Sequence, residues 1–158
     1  MSDIDSIPFT KEGYEELSAE LVRLKKGERP QVIADIEEAR GHGDLKENAE
    51  YHAAKERQAF IEGRIADLED KLARAQVIEP QKSETKVRFG AFVSVCDEEN
   101  GEEKTYRIVG DLEANLEKMK ISVSSPIAKA LLGKEVNDLV EVRAPKGIRE
   151  YVIKDVRY

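Results

Sequence analysis

Apolar residues recur at alternating steps of three and four along two long stretches of this sequence, on either side of a glycine-rich turn. Such a repeat gives each helix one apolar seam, which is typical of a coiled coil. The first seam contains Tyr14, Leu17, Leu21 and Leu24 and continues beyond Pro30 with Ile33, Ile36 and Ala39. The second contains Tyr51, Ala54, Gln58, Ile61, Ile65, Leu68, Leu72 and Ala75. Because the turn is short, we expect an antiparallel hairpin about 40 Å long.

Four residues predict where the helices begin, bend and end. Thr10 is suited to cap the N-terminus of the first helix, because its hydroxyl can accept a hydrogen bond from a free backbone N–H. Pro30 has no backbone N–H, so we expect it to kink the first helix or restart it. Gly41 and Gly43 interrupt the apolar pattern and predict the turn between the helices.

The second half of the chain has a different periodicity, which begins after a predicted linker at residues 77–83. Apolar residues there alternate with polar or smaller ones, as in half-buried strands. Strands are predicted within 87–95, 106–110, 121–123, 139–142 and 151–153, with a short helix from Ser125 to Gly133. The fold class is therefore predicted to be α+β. Residues 1–78 form the hairpin, and residues 79–158 form a small globular domain with an antiparallel β-sheet and one short helix.

The turn of the hairpin carries two carboxylates, Asp44 and Glu47. Their spacing fits a capping box, with Asp44 as the N-cap and Glu47 at the third helical position. It equally places both carboxylates on one helical face, where they could hold one Mg²⁺ ion. Two carboxylates alone would bind Mg²⁺ weakly, so the remaining ligands would come from another site, as in two-metal phosphoryl-transfer centres. Both interpretations stay open from the sequence alone.

Histidines and basic residues surround this acidic tip. We interpret His42 and His52 as solvated residues and not as general bases, because no nucleophile lies near them in sequence. The basic residues are Arg40, Lys46, Lys55 and Arg57. They could form ordinary ion pairs on the helix surface, with Glu37, Glu50 and Glu56 as partners. They could instead contact a nucleic-acid strand beside the metal site.

Charge and composition exclude several classes of function. The net charge is −7 and neither half is basic, so strong independent binding to nucleic acid is not expected. No apolar stretch has the length of a membrane span, and the acidic first five residues do not follow the plan of a signal peptide. We expect a cytoplasmic protein. Since no motif for phosphate binding or nucleophilic catalysis is evident, any phosphodiester chemistry would be performed by a partner.

The run from Glu38 to Lys55 resembles the tip of the bacterial Gre transcript-cleavage factors, GreA type. The segments 106–110 and 122–135 resemble the same family, and the similarity extends over essentially the whole chain. The resemblance implies a transcription elongation factor that is not itself an enzyme. Its C-terminal domain, similar in fold to FK506-binding proteins, would dock on the rim of the RNA polymerase secondary channel. Its hairpin would enter the channel and stimulate the polymerase's own cleavage of backtracked nascent RNA, which releases arrested complexes.

The resemblance also implies roles for individual residues. The metal-site and catalytic carboxylates would be Asp44 and Glu47, the residues near the RNA 3′ end would be Arg40, Lys46, Lys55 and Arg57, and the polymerase-docking residues would be Ser125 and Pro126. The cofactor would be Mg²⁺ in the polymerase active centre, not bound stably by the free protein. Two alternatives remain: an inhibitory relative that binds the channel without stimulating cleavage, and a peptide-binding module or prolyl isomerase.

Overall fold

The computed structural model describes residues 6–81 and 84–158, which fall into two compact units. The helical unit comprises Tyr14–Ala75, and the globular unit comprises the described residues up to Gly13 together with Gln76–Tyr158. Grouped by contacts, the helical unit thus ends at Ala75, whereas the predicted boundary follows residue 78. The described residues before Tyr14 pack with the globular unit, where the N–H of Ile78 donates to the carbonyl of Phe9 at 3.0 Å. Residues 1–5 and two linker residues, 82 and 83, lie outside the described residues.

Three α-helices and one π-helical segment build the hairpin. They are α1 (Lys11–Arg23), the π-helical segment (Leu24–Glu28), α2 (Arg29–Arg40) and α3 (Ala49–Ala73). Thr10 caps α1 as predicted, because its hydroxyl accepts a hydrogen bond from the N–H of Gly13 at 3.0 Å. Within the described part of the chain, no helix is both long enough and apolar enough to cross a membrane.

Ion pairs between the two arms of the hairpin show that the arms are antiparallel. The partners of Lys25, Arg29 and Asp35 are, in that order, Glu69, Glu62 and Arg57 on α3. The buried core between the arms consists of Leu24, Val32, Ile61, Ile65 and Leu68, with Leu17 and Leu21 packed against it. Seven of the eight predicted seam residues of the second arm lie in α3 and are buried or half-buried, which confirms that seam as far as Leu72. The eighth, Ala75, follows the helix and lies in a short strand, Ala75–Val77.

The first seam is shifted by one residue beyond Leu24. A heptad repeat counted from Leu24 would bury residues 31, 35 and 38, but of these only Asp35 is half-buried. Val32 and Ala39 are buried instead, and Ile36 is half-buried. The prediction for Ile33 was wrong, since this side chain is 48% exposed. The π-helical segment explains the shift, because a π turn holds one extra residue and rotates all later residues around the axis.

Pro30 accounts for the position of this π-helical segment. Proline lacks the N–H that would close an α-helical turn. The chain instead widens here, and the N–H of Arg29 donates to the carbonyl of Leu24. Pro30 then lies in the first turn of α2, where a missing N–H is tolerated. The sequence predicted a kink or a restart at Pro30; the structure shows a π-helical segment that leads directly into a second α-helical segment, α2.

The globular unit contains a five-stranded sheet in the order β5–β4–β3–β7–β6. Its elements are β3 (Phe92–Asp97), β4 (Glu103–Val109), β5 (Lys120–Ser122), α4 (Pro126–Leu131), β6 (Leu139–Ala144) and β7 (Gly147–Arg157). Two further strands, β1 (Ile7–Phe9) and β2 (Ala75–Val77), form a separate two-stranded sheet. The buried core includes Val93, Val95, Ile108, Ile153 and the α4 residues Ala128 and Leu131.

Two sequence predictions for this unit require correction. Residues 87–91 precede the sheet instead of extending β3, because the chain turns at Gly90 with a φ of +88° that favours glycine. Val87 and Ala91 are nevertheless buried, so the apolar alternation reported burial correctly. The sheet is also mixed, since β4 and β5 are parallel. The connection between them, which contains short 3₁₀ turns at Asp111–Glu113 and Leu116–Lys118, returns the chain to the same end of the sheet.

Glu113 fastens the start of α1 within the globular unit. Its carboxylate accepts hydrogen bonds from the N–H of Thr10 at 2.9 Å, from the hydroxyl of Thr10, and from the N–H of Gly110 at 3.1 Å. A Cβ at Gly13 would overlap this carboxylate, so a larger residue there would displace Glu113 from these hydrogen bonds. The bonds join residues 103 positions apart, a link that sequence spacing does not reveal.

Candidate functional site

The tip of the hairpin is an eight-residue connection, residues 41–48, between α2 and α3. Asn48 holds its two ends together. The side-chain carbonyl of Asn48 caps α3 by accepting a hydrogen bond from the N–H of Tyr51 at 3.1 Å. Its amide group donates to the carbonyl of Ala39, at the end of α2, at 2.6 Å. One side chain thus caps the start of α3 and binds the end of α2, where the carbonyl of Ala39 also accepts from the N–H of His42, and sequence analysis did not identify it.

The predicted capping box at Asp44 and Glu47 was wrong. The Asp44 carboxylate accepts a hydrogen bond from the N–H of Lys46, two residues later, at 3.0 Å. This hydrogen bond defines an Asx turn. Glu47 lies in the turn before the N-cap and not in the first turn of α3. Asn48 takes the capping position because only it reaches both helices. The argument that Asp44 and Glu47 share a helical face therefore fails, although both residues are exposed on one turn.

Histidines close the tip on either side. His42 Nδ1 lies 2.9 Å from a carboxylate oxygen of Glu50, and His52 Nε2 lies 3.3 Å from the carbonyl oxygen of Lys46. Both rings are more than a third exposed. Each contact joins the connection to α3, so the local role of both histidines is to order the turn that carries the carboxylates.

The four predicted RNA-proximal residues fall into two groups. Arg57 forms an ion pair with Asp35 across the hairpin, and the ammonium of Lys55 lies 3.2 Å from the side-chain oxygen of Gln58 on the same helix. Arg40, at the end of α2, and Lys46, in the turn, are exposed beside the two carboxylates. Arg40 and Lys46 therefore lie next to or within the acidic turn. Arg57 lies well inside α3 and contacts the other arm of the hairpin.

The tip does not form a closed metal site. Among the described residues, no group of three or more His, Cys, Asp or Glu side chains could hold a metal ion. Mg²⁺ accepts one or two protein carboxylates when water and phosphate oxygens complete its octahedron. Asp44 and Glu47 could therefore supply only part of the coordination of a Mg²⁺ ion.

The second predicted site begins at Ser125, which caps α4. Its hydroxyl accepts a hydrogen bond from the N–H of Ala128 at 3.3 Å and donates to the carbonyl of Ser122 at 2.7 Å. Pro126 follows in the first turn of α4 and is exposed. The loop from β5 to α4 is thus ordered by local hydrogen bonds and presents Pro126 to solvent.

These features define the class of protein. It is a two-unit α+β protein, with one unit an antiparallel helical hairpin that has an exposed acidic turn and the other a globular unit. A family model described as "Transcription elongation factor, N-terminal" matches residues 7–77, and one described as "Transcription elongation factor, GreA/GreB, C-term" matches residues 81–158. This chain belongs to the GreA/GreB family of transcription elongation factors, which work with bacterial RNA polymerase.

Individual relatives match the chain over nearly its whole length. It is 58% identical to a transcription elongation factor GreA of Hyphomonas neptunium and 57% identical to one of a Caulobacter species, each match covering 98% of this chain and 99% of the relative. Among solved structures, GreA factor homolog 1 of Thermus thermophilus is 34% identical, with 97% of this chain and 99% of that chain covered and a TM-score of 0.44.

Proposed function

We propose that the hairpin of this elongation factor enters the secondary channel of RNA polymerase and stimulates the polymerase's own cleavage of backtracked RNA. The observation that carries the proposal is the assignment of capping to Asn48. Because Asn48 caps α3, the exposed carboxylates of Asp44 and Glu47 are not needed to stabilise the helix. The two family matches, at residues 7–77 and 81–158, support the same conclusion.

Asp44 and Glu47 would together hold a Mg²⁺ ion at the polymerase active centre, where polymerase groups, water and RNA phosphate supply the other ligands. When bound, that ion would lower the pKa of a water molecule and so provide the attacking hydroxide. The Asx turn keeps the Asp44 carboxylate at a fixed place on the tip. Arg40 and Lys46 lie beside the carboxylates and would face the RNA phosphates, with Lys55 and Arg57 further along α3.

The globular unit would dock on the rim of the channel through the loop that leads into α4. Ser125 and Pro126 lie at this loop, and the hydrogen bonds of Ser125 give it a defined conformation before docking. A preformed loop loses less conformational entropy on binding than a flexible one. Work with RNA polymerase would place the protein in the cytoplasm.

Asp44→Asn is the sharpest test of the proposed metal role. Asparagine forms the same Asx turn as aspartate, so the fold of the tip is retained while the negative charge is lost. We expect cleavage of a purified, backtracked elongation complex in Mg²⁺ to fall about 100-fold, equal to ~2.7 kcal/mol. Glu15→Gln, which neutralises an exposed carboxylate of α1, is the matched control and should cleave as the unmodified protein does.

Three outcomes would contradict the proposal. Equal stimulation of cleavage by Asp44→Asn and by the unmodified protein would show that Asp44 does not hold the Mg²⁺ ion. Efficient degradation of free RNA by this protein without polymerase would show that the chemistry belongs to the protein itself. A factor that binds the polymerase but leaves backtracked RNA intact would instead be the inhibitory relative.

A further inference from the structure

Asp111 organises the loop between β5 and α4, here named the serine loop (residues 122–125). Its Oδ1 atom accepts hydrogen bonds from the hydroxyls of Ser122 and Ser124, the latter at 2.8 Å. The hydroxyl oxygen of Ser122 also accepts a hydrogen bond from the N–H of Ser124 at 3.1 Å. A single carboxylate oxygen therefore fixes two side chains of one short loop.

The hydrogen bonds continue through the loop to α4. Ser125 donates its hydroxyl proton to the carbonyl of Ser122 at 2.7 Å, and its N–H donates to the same carbonyl at 3.0 Å. Because Asp111 fixes Ser122, it also fixes the residue on which Ser125 depends. The exposed members of this surface are Ser124 and Pro126, which lie on either side of Ser125.

Asp111 is suited to this role at neutral pH. The hydroxyl of Ser122, and then that of Ser124, lower the pKa of Asp111 below its ordinary value. The carboxylate is thus charged and accepts the hydroxyl protons in charge-assisted hydrogen bonds, which are stronger than neutral ones. The residue itself lies outside the loop, in the 3₁₀ turn Asp111–Glu113.

We propose that Asp111 is a positioning residue for RNA polymerase docking: it holds the serine loop, and through it Ser125 and Pro126, in the conformation that binds. The proposal rests on the proposed function, in which this loop is the docking contact. Asp111 acts through Ser122 and Ser124 and does not touch the polymerase. Without it the loop would have to be ordered during association, and the lost conformational entropy would weaken binding.

The direct test measures binding of the fluorescently labelled full chain to purified RNA polymerase by anisotropy. We expect Asp111→Ala to raise Kd about tenfold, which corresponds to ~1.4 kcal/mol. Asp111→Asn should have a smaller effect, because its amide oxygen still accepts hydrogen bonds from the serines. Asp138→Ala is the matched control, since this carboxylate orders a different turn by accepting from the N–H of Glu135 at 2.8 Å, and its Kd should not change.

Combined variants separate positioning from direct contact. If Asp111 acts through the serines, adding Asp111→Ala to a Ser122→Ala/Ser124→Ala background should change Kd no further. An additive loss would mean that Asp111 contacts the polymerase itself and would overturn the proposal. An unchanged Kd for Asp111→Ala would also overturn it. If Asp111→Ala does not fold, the double serine variant, which keeps Asp111, should still bind about tenfold more weakly.

Cleavage distinguishes failure of this inference from failure of the proposed function. At saturating concentrations, Asp111→Ala should stimulate RNA cleavage to the same maximum as the unmodified protein, with only the half-saturating concentration raised. A lowered maximum at saturation would overturn the positioning role. Binding by the unmodified protein with no cleavage at any concentration would instead contradict the proposed function while leaving the binding comparison intact.

Discussion

The acidic residues at the hairpin tip and those beside β5 differ in what their oxygen atoms contact. Asp111 accepts hydrogen bonds from two serine hydroxyls, and Glu113 accepts three bonds from Thr10 and Gly110. At the tip, Asp44 accepts one local N–H, and within the described part of the chain Glu47 accepts none. The same chemical group thus builds the fold in one region and is presented to solvent in the other. The difference indicates which carboxylates are available to a metal ion.

The largest expected effect would test whether the two tip carboxylates act as one unit. Glu47→Gln alone should lower cleavage about 100-fold, as Asp44→Asn does. If both residues hold the same ion, the double variant should be little worse than either single one, because groups that act together are not additive. The measurement is single-turnover cleavage of a backtracked complex. Losses that multiply to about 10,000-fold would show that the two carboxylates act independently.

The second effect concerns Glu113, whose carboxylate accepts three hydrogen bonds in the globular unit. Glu113→Ala leaves the N–H and hydroxyl of Thr10, a buried residue, without their acceptor. We expect the free energy of unfolding to fall by about 2 kcal/mol, in the usual range for a buried group left unsatisfied. Denaturant unfolding measures this loss. Gly13→Ala should be similarly destabilising because the new methyl group would displace Glu113, whereas Gly63→Ala, at an open position in α3, is the control.

The third effect distinguishes Asn48, which stabilises the tip, from Asp44, which is exposed on it. Asn48→Ala removes the cap of α3 and the bond to Ala39, so helix stability should fall by about 1 kcal/mol. Asn48→Asp keeps the capping oxygen and loses only the amide donor, so its loss should be smaller. Thermal unfolding followed by circular dichroism checks both. If Asn48→Ala unfolds like the unmodified protein while Asp44→Asn is destabilised, the assignment of roles within the tip is reversed.

The seam of α3 was predictable because periodicity is a local property of the sequence. The shift to Val32 was not, because it depends on how the chain accommodates the missing N–H of Pro30. A proline predicts an interruption, but a kink, a break and a π turn are all compatible with the same residues. The parallel pairing of β4 and β5 was also missed, since strand direction is decided by the path of the connection and not by alternation.

The location of the candidate site was predictable, whereas its internal geometry was not. Asp44 and Glu47 have the spacing of a capping box, and Asn48 and Tyr51 have the same spacing of three residues. The bond from Asn48 to Ala39 decides between them, and it joins residues nine positions apart across the turn. Asp111 was missed for the same reason, because Ser122 and Ser124 are eleven and thirteen residues away.

The smallest expected effect is a loss of stability on acidification that depends on Asp111. Hydrogen bonds from Ser122 and Ser124 depress the pKa of Asp111 in the folded protein. Its contribution to stability is therefore fully present above the pKa of the unfolded chain, about 3.9, and is lost as the pH falls through the folded value. Because Asp111 is exposed, this contribution should be well under about 1 kcal/mol. Between pH 6 and pH 3, the unmodified protein should thus lose slightly more unfolding free energy than Asp111→Asn, as measured by denaturant unfolding at each pH. Equal losses in the two proteins would mean that the charge of Asp111 does not stabilise the fold.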